Sequence, residues 1–400
     1  MNSKQYIDLE NTYGAHNYHP LDIVITKGHG VWVQDVNGKK YMDFLSSYSA
    51  LNQGHTHKRL VSVIKKQAAK LTLTSRAFRN DQLGPLYKQL CELSGFEMAL
   101  FMNSGAEAVE TALKLVRKWG YYKKGVEKDK AEIITAANNF HGRTIAIVGF
   151  STEDQYKDGF GPFTDGFKTV PYNDAKAIEK AITKNTVAVM IEPLQGEAGI
   201  LMPDEGYLED VAKICKKHNV LFVVDEIQTG LGRTGKLFAF QHEKNVKPDV
   251  IILGKALGGG FYPISAVLSS RKIFEVIHPG DHGSTFGGNP LACALAQEAL
   301  NIIVDEKLVE KSRTLGEYLL QEVGEIKSTL IKEVRGKGLF IGIELVKSSG
   351  GARKYCEQLA QEGLLCKETH EMVIRLAPPL TITKSEIDQA VKKLKKVLAS

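Results

Sequence analysis

Long hydrophobic runs are missing from this chain of 400 residues. No stretch approaches the roughly 20 apolar residues that cross a bilayer, so no membrane partner is expected. The opening Met1-Asn2-Ser3-Lys4-Gln5-Tyr6 lacks the apolar core of a secretion signal. Cysteine is scarce as well: Cys91, Cys215, Cys293, Cys356 and Cys366 are odd in number, scattered and without metal-ligand spacing. That argues against a disulfide scaffold, predicts no bound metal, and points to reduced thiols in the cytoplasm. An excess of charge of one sign is also lacking. The balance of 52 basic against 46 acidic residues, a net +6 with no basic stripe, gives no reason to expect a nucleic-acid partner. The lysines of Lys392-Lys393-Leu394-Lys395-Lys396 read as the wet face of a last helix, because Ile387, Val391, Leu394 and Leu398 recur at helical spacing. A P-loop, a His-Glu metal motif, a nucleophile-elbow serine, an internal repeat and a low-complexity segment are all absent.

What is present is an ordinary globular composition, 43% hydrophobic and 24% charged, in a chain long enough for more than one core. The first 30 residues are irregular and rich in Tyr, His and Asn. Asn37-Gly38 then predicts a hairpin between Val31–Gln34 and Lys40–Met42. From about residue 98, short apolar runs alternate with amphipathic helices such as Ala106–Lys118 and Leu208–His218. The runs are Met98–Phe101, Glu132–Thr135, Thr144–Val148, Val187–Ile191, Val220–Val224, Val250–Leu253 and Ile264–Leu268. They predict an α/β fold: a largely parallel seven-stranded sheet covered on both faces, with ligands beyond the carboxyl ends of its strands. One long helical stretch is expected from Asn289-Pro290 to about residue 327. A smaller α/β pattern follows, with strands at 338–346, 364–366 and 373–376 and a helix near 352–361. The expected division is an N-terminal segment 1–45 packing with the small domain, a large domain 46–289, and a small domain 290–400.

Two charged residues of opposite sign close two of the apolar runs. Lys255 follows Val250-Ile251-Ile252-Leu253-Gly254, and Asp225 follows Val220-Leu221-Phe222-Val223-Val224. A lysine at the mouth of a buried strand is well placed as an amine nucleophile. Paired with a carboxylate on a neighbouring strand end, it meets the needs of a pyridoxal phosphate (PLP) site: the amine carries the cofactor and the aspartate keeps the pyridine nitrogen protonated. Asn103-Ser104-Gly105-Ala106-Glu107 opens a helix after a strand. Ser104 and Glu107 form a capping box there, and free N–H groups suit either a phosphate or simply the cap. Phe140-His141-Gly142-Arg143 offers a flat ring for stacking, although a core Phe and a structural His read equally well. Gly283-Ser284-Thr285-Phe286-Gly287-Gly288 is a second candidate phosphate loop or a plain junction. Gly230-Leu231-Gly232-Arg233-Thr234-Gly235 matches the dinucleotide fingerprint by letter, but Glu226 to Thr229 separate it from the strand and no helix pattern follows.

Taken together, Asp225-Glu226-Ile227-Gln228-Thr229-Gly230-Leu231-Gly232-Arg233-Thr234-Gly235, Pro248-Asp249 and Gly254-Lys255-Ala256-Leu257-Gly258-Gly259-Gly260 resemble the signature of class III (subgroup II) PLP-dependent aminotransferases. The likeness runs from Tyr13-Gly14-Ala15-His16-Asn17-Tyr18 to Arg375-Leu376-Ala377-Pro378-Pro379. Within the class it is strongest to the members acting on ornithine, at Phe44-Leu45-Ser46-Ser47-Tyr48-Ser49-Ala50, 71–78 and Arg117-Lys118-Trp119-Gly120-Tyr121. The resemblance implies fold type I and transfer of the δ-amino group of L-ornithine to 2-oxoglutarate. It further implies a homodimer with sites shared across the interface.

It also implies roles residue by residue. Lys255 would hold PLP and move the substrate proton. Asp225 would bind the pyridinium nitrogen, and Gln228 the phenolic oxygen. Phe140 would stack on the ring, with His141 beside it. Ser104, Gly105 and Ala106 would hold the phosphate, while Ser284 and Thr285 would reach that of the neighbouring subunit. Arg143 with Tyr18 and Tyr48 would hold ornithine's far carboxylate. Arg375 would take the α-carboxylate of 2-oxoglutarate, screened by Glu197 in the first half-reaction. His141 stands where some ornithine enzymes carry a larger aromatic residue, which leaves N-acetylornithine or 4-aminobutyrate open as donors.

Overall fold

An Asn-Gly pair has the backbone freedom a tight hairpin needs. In the computed structural model, which describes residues 1–399, Gly38 adopts φ +91° and its amide donates to Asp35 O. The turn joins the second and third strands of an antiparallel meander, β1 (Ile25–His29), β2 (Trp32–Asp35) and β3 (Lys40–Asp43).

The large sheet is built from β4 (Met98–Met102), β5 (Glu132–Ala136), β6 (Phe167–Val170), β7 (Thr186–Ile191), β8 (Leu221–Asp225), β9 (Val250–Leu253) and β10 (Ser265–Ser269). Its order is β4-β10-β9-β8-β7-β5-β6, and only β10 runs against the other six. The strands from β7 to β10 are buried along their whole length, which is why they read as unbroken apolar runs. Alternate residues serve two cores. Val223, Ile252 and Val267 pack under the helix Gly105–Trp119, whereas Phe222, Val224 and Ile251 pack on the opposite face with Leu208 and Val211 of the helix Tyr207–Lys217.

One expected strand is not a strand. In the run 144–148, the Thr144 hydroxyl accepts from Ile147 N, and Ile145–Gly149 is a short helix. A short apolar run does not distinguish the two states, and the N-cap decides here. The seventh strand is instead β6, a four-residue edge whose partly polar Phe167-Lys168-Thr169-Val170 gives little periodic signal.

The expected long helix after residue 289 is two helices, Pro290–Asp305 and Leu308–Gly324, parted at Lys307 with φ +53°. Asn289 caps the first, with Pro290 at its first position. The first packs on Lys58–Ala68 and Leu83–Ser94, and the second on the C-terminal region, so the pair bridges the two halves. That region has β11 (Ile331–Lys337), β12 (Phe340–Leu345), β13 (Leu364–Leu365), β14 (Lys367–Thr369) and β15 (Val373–Leu376), closed by the helix Lys384–Leu398. β11, absent from the sequence reading, is a polar edge strand. β13 leaves the antiparallel sheet β11-β12-β15-β14 and pairs in parallel with β3, so the first sheet is built from both ends of the chain. No helix among the described residues is long and apolar enough to cross a membrane.

Candidate active site

Strand register brings the two charged residues together. Ile252 on β9 lies opposite Asp225 at the end of β8, and Lys255 follows three residues on, past Gly254. Lys255 takes φ +42°, a conformation few side-chain-bearing residues adopt, inside the turn Lys255–Gly258. Burial lowers its amine pKa, against the pull of the Glu197 carboxylate. Asp225 is 4% exposed. Its Oδ2 lies 2.7 Å from His141 Nδ1, and its Oδ1 accepts from Ile227 N at 3.0 Å. Burial opposes charge on His141, but the hydrogen bond and charge of Asp225, with Glu192 beyond, outweigh it and raise the imidazole pKa. His141 Nε2 has no partner among the described residues.

These groups line a cavity of about 220 Å³, together with Gly105, Ala106, Phe140, Gly142, Glu192, Ile227, Gln228 and Thr229. One wall is the N-terminus of the helix Gly105–Trp119. The Ser104 hydroxyl accepts from Glu107 N, while Glu107 accepts from Ser104 N. The N–H groups of Gly105 and Ala106, in the first helical turn, have no intrahelical acceptor. The cavity therefore offers a buried amine, a buried carboxylate, a ring face at Phe140 and free amides for an anion. This donor set fits pyridoxal phosphate from end to end.

A second cluster of charged and polar groups adjoins it. Arg375, 1% exposed on β15, donates to Glu197 Oε1 at 2.6 Å and lies 4.9 Å over the Tyr48 ring. Gln228 Nε2 also bonds Glu197, at 3.1 Å, and reaches Tyr48 O at 3.4 Å. Gly196 makes room for it, since a Cβ there would meet Gln228 Oε1 at 1.8 Å. Burial alone would raise the Glu197 pKa, but the charges of Arg375 and Lys255 and the hydrogen bonds from Arg375 and Gln228 bring it down to about 2. Tyr48 sits in a turn, Ser46 to Ser49, in which all four residues take positive φ, tied down by Asp43 Oδ1 at the amides of Leu45 and Ser46.

The structure thus gathers Lys255, Asp225, His141, Phe140, Gln228, Gly105, Ala106, Tyr48, Glu197 and Arg375. Ser104 belongs to the helix cap. Ser284 is tied to this end by Asn103 Nδ2 at 2.8 Å, whereas Thr285 is exposed and outside the cavity. Tyr18 is 73% exposed and lines a neighbouring apolar cavity with Tyr48. Arg143 is exposed, its guanidinium 4.0 Å from the Tyr156 ring.

Two residues were missed by sequence reasoning. Glu192 follows the apolar run of β7, one residue past the Ile191–Val224 pair with β8, and accepts from Phe140 N at 3.0 Å; burial pushes its carboxyl up to about 8. Its signal, a charged residue closing an apolar run, is the one that marked Asp225. Tyr156 carries no such signal. The dinucleotide-like glycines have a packing role: at Gly235 a Cβ would meet Arg313 Cα at 2.9 Å, and at Gly338, which crosses this loop, Thr234 C at 2.4 Å. Between them Arg233, fully buried, donates to Leu339 O, Pro378 O and Asn52 Oδ1. Among the described residues, no group of three or more His, Cys, Asp or Glu is placed to hold a metal, and the five cysteines are free thiols.

With this geometry in hand, a family model described as aminotransferase class-III matches residues 13–398. The chain belongs to that family. An ornithine aminotransferase of Geobacillus sp. (strain WCH70) is 59% identical over 395 residues, 99% of this chain and 98% of the relative. Among solved structures, the ornithine aminotransferase from Toxoplasma gondii, described with partial occupancy of PLP at its active site, superposes with a TM-score of 0.97 at 43% identity. The match covers 99% of this chain and 94% of that one. An acetylornithine aminotransferase from Elizabethkingia anophelis follows with a TM-score of 0.91 at 49% identity, over 100% and 99%. Family membership makes the chain a PLP-dependent transaminase of fold type I, with a large, mostly parallel seven-stranded sheet.

Proposed function

We propose that this protein transfers the δ-amino group of L-ornithine to 2-oxoglutarate, giving glutamate 5-semialdehyde and glutamate. The observation that carries the donor is the 59% identity, over nearly both full lengths, to a relative named ornithine aminotransferase. The acetylornithine enzyme, at 49%, falls below that relative, although above the 43% of the Toxoplasma gondii ornithine enzyme. The two unequal arginines add support: Arg375 is covered by Glu197, whereas Arg143 has no carboxylate partner among the described residues.

When bound, pyridoxal phosphate supplies an electron sink for the carbon that loses its proton. Lys255 would hold it through its amine and then carry the substrate proton, a role its burial-lowered basicity suits. Asp225 would keep the pyridine nitrogen charged, and His141 holds Asp225 in place. The free amides of Gly105 and Ala106 take the phosphate beside the Ser104 cap. Phe140 would cover one ring face, and Gln228, whose contact with Tyr48 O is its weaker one, would be free to bond the phenolic oxygen. In the first half-reaction Glu197 occupies Arg375, so ornithine's α-carboxylate goes to Arg143 with Tyr18 and Tyr48, and the δ-amine reaches Lys255. In the second, Glu197 swings aside and Arg375 takes the α-carboxylate of 2-oxoglutarate. Its main chain stays fixed by Thr369 Oγ1, which donates to Glu197 O at 2.5 Å.

A cytoplasmic homodimer is part of the reading. The helix Ser3–Tyr13, in a stretch expected to be irregular, buries no residue of its own, and Thr285 is exposed, as a residue reaching a second copy's phosphate would be. The division into 1–45, 46–289 and 290–400 belongs to the same proposal, supported by the β3–β13 pairing.

The test is the absorption spectrum of the purified enzyme before and after L-ornithine, without oxo acid. Conversion to the aminated cofactor, with a product that cyclises to pyrroline-5-carboxylate, is the expected result. Reaction only with N-acetylornithine or 4-aminobutyrate would overturn the choice of donor.

A further inference from the structure

Arg143 and Arg375 are held in opposite ways. Arg375 is buried and paired with Glu197 at 2.6 Å. Arg143 is exposed, forms no ion pair among the described residues, and rests with its guanidinium carbon 4.0 Å from the Tyr156 ring centroid and 5.7 Å from that of Phe140. Tyr156 also braces Phe140 edge-on, with centroids 6.0 Å apart and planes at 78°. Its own place is fixed at the end of the short turn Asp154–Tyr156 by its amide on Glu153 O, and Glu153 N is held by Ser151 Oγ.

A long arginine side chain in solvent has many rotamers, and fixing it on binding costs affinity. An acidic neighbour would fix it too, but would then compete with any carboxylate that arrived, which is what Glu197 does at Arg375. An aromatic face fixes the guanidinium without using the N–H donors on its edge. Burial raises the Tyr156 hydroxyl pKa, partly offset by the Arg143 cation, so the ring stays neutral and adds no rival anion. Phe140, which the Tyr156 ring braces, lines the cavity, so Tyr156 stands at its wall.

We infer that Tyr156 is a positioning and specificity-determining residue, whose ring presents Arg143 to the remote carboxylate of the substrate. The inference rests on the proposed role of Arg143. It predicts that Tyr156 matters for substrates with a carboxylate at the far end and for no others.

The test uses the holoenzyme with Tyr156→Leu, Tyr156→Phe, Arg143→Leu and the double variant Arg143→Leu/Tyr156→Leu. For L-ornithine, Tyr156→Leu should raise KM about fivefold, the weight of one partly exposed cation–π contact, with kcat changed less than about twofold. Tyr156→Phe, which keeps the ring, should restore KM. The four-carbon diamine that ornithine becomes without its carboxylate should react equally with Tyr156→Leu and the parent. In the Arg143→Leu background, Tyr156→Leu should add nothing. A large KM rise in Arg143→Leu with none in Tyr156→Leu overturns the inference and leaves the substrate reading standing. Loss of kcat at constant KM, or additive effects in the double variant, makes Tyr156 scaffold and overturns it too. An Arg143→Leu enzyme with unchanged KM overturns both.

Discussion

Replacing Glu197 with glutamine removes one charge from the site while keeping a side chain that Gln228 can still contact. In the folded protein Glu197 is held at about 2 rather than its ordinary 4.5, so its surroundings favour the anion by about 3 kcal/mol. A substrate α-carboxylate that reaches Arg375 must displace that anion. Without it, the competition disappears, and attack through the α-amine gains up to about two orders of magnitude over attack through the δ-amine. Arg375, 1% exposed, is then a buried cation without a counter-ion, so the variant should also melt earlier, by an amount set by on the order of 3 kcal/mol. The assay is a single turnover with L-ornithine followed through the cofactor absorption, with the cyclised products separated afterwards. Loss of the δ-amine yields pyrroline-5-carboxylate, and loss of the α-amine yields pyrroline-2-carboxylate. A shift toward the second, with a faster half-reaction of L-glutamate, is expected. An unchanged product ratio with unchanged glutamate kinetics would refute the competition at Arg375.

Acid should expose the same group. A carboxyl depressed in the folded state lends stability above its unfolded value of 4.5 and loses it as pH falls toward 2, so the parent's acid-unfolding curve should be steeper over that window than that of Glu197→Gln; matching slopes would remove Glu197 from the account. Lys255→Ala should lose turnover and the covalent trapping of cofactor by borohydride, and near-normal turnover would sink the assignment. Asp225→Ala should retain cofactor yet slow proton abstraction in a single turnover by on the order of a hundredfold, since a buried charge pair is broken; an unaltered rate places the pyridine nitrogen elsewhere. Gly316→Ala drives a methyl to within 2.1 Å of the Gly338 backbone and should cost roughly 1–3 kcal/mol in thermal unfolding, a figure that an unchanged melting temperature contradicts.

The convergence of Asp225 and Lys255 in one cavity was legible because of where they stand. Asp225 and Lys255 follow strands buried on both faces, and a charge ending such a run has nowhere to point but the sheet's carboxyl edge. The same rule would have found Glu192. Tyr156 was not legible, because a lone tyrosine in a polar loop is given meaning only by the ring-to-guanidinium distance. The helix at Ile145–Gly149 and the edge strands β6 and β11 escaped for a different reason. Their state is decided by a threonine cap in the first case and by a partner strand in the others, and neither shows in local periodicity.

The pairing of β3 with β13 has a consequence for biosynthesis. Residues 40–43 leave the ribosome early, but Leu364 and Leu365 emerge only after more than three hundred further residues. At 5–20 residues per second, the outer edge of the hairpin stays unpaired for roughly 15–60 s, long enough to need shielding from other nascent strands. Arg375, on β15, comes later still. A chain cut short before the last tenth therefore lacks both the strand that closes the first sheet and the buried arginine that pairs with Glu197, so truncation removes part of the fold and part of the candidate site in one event.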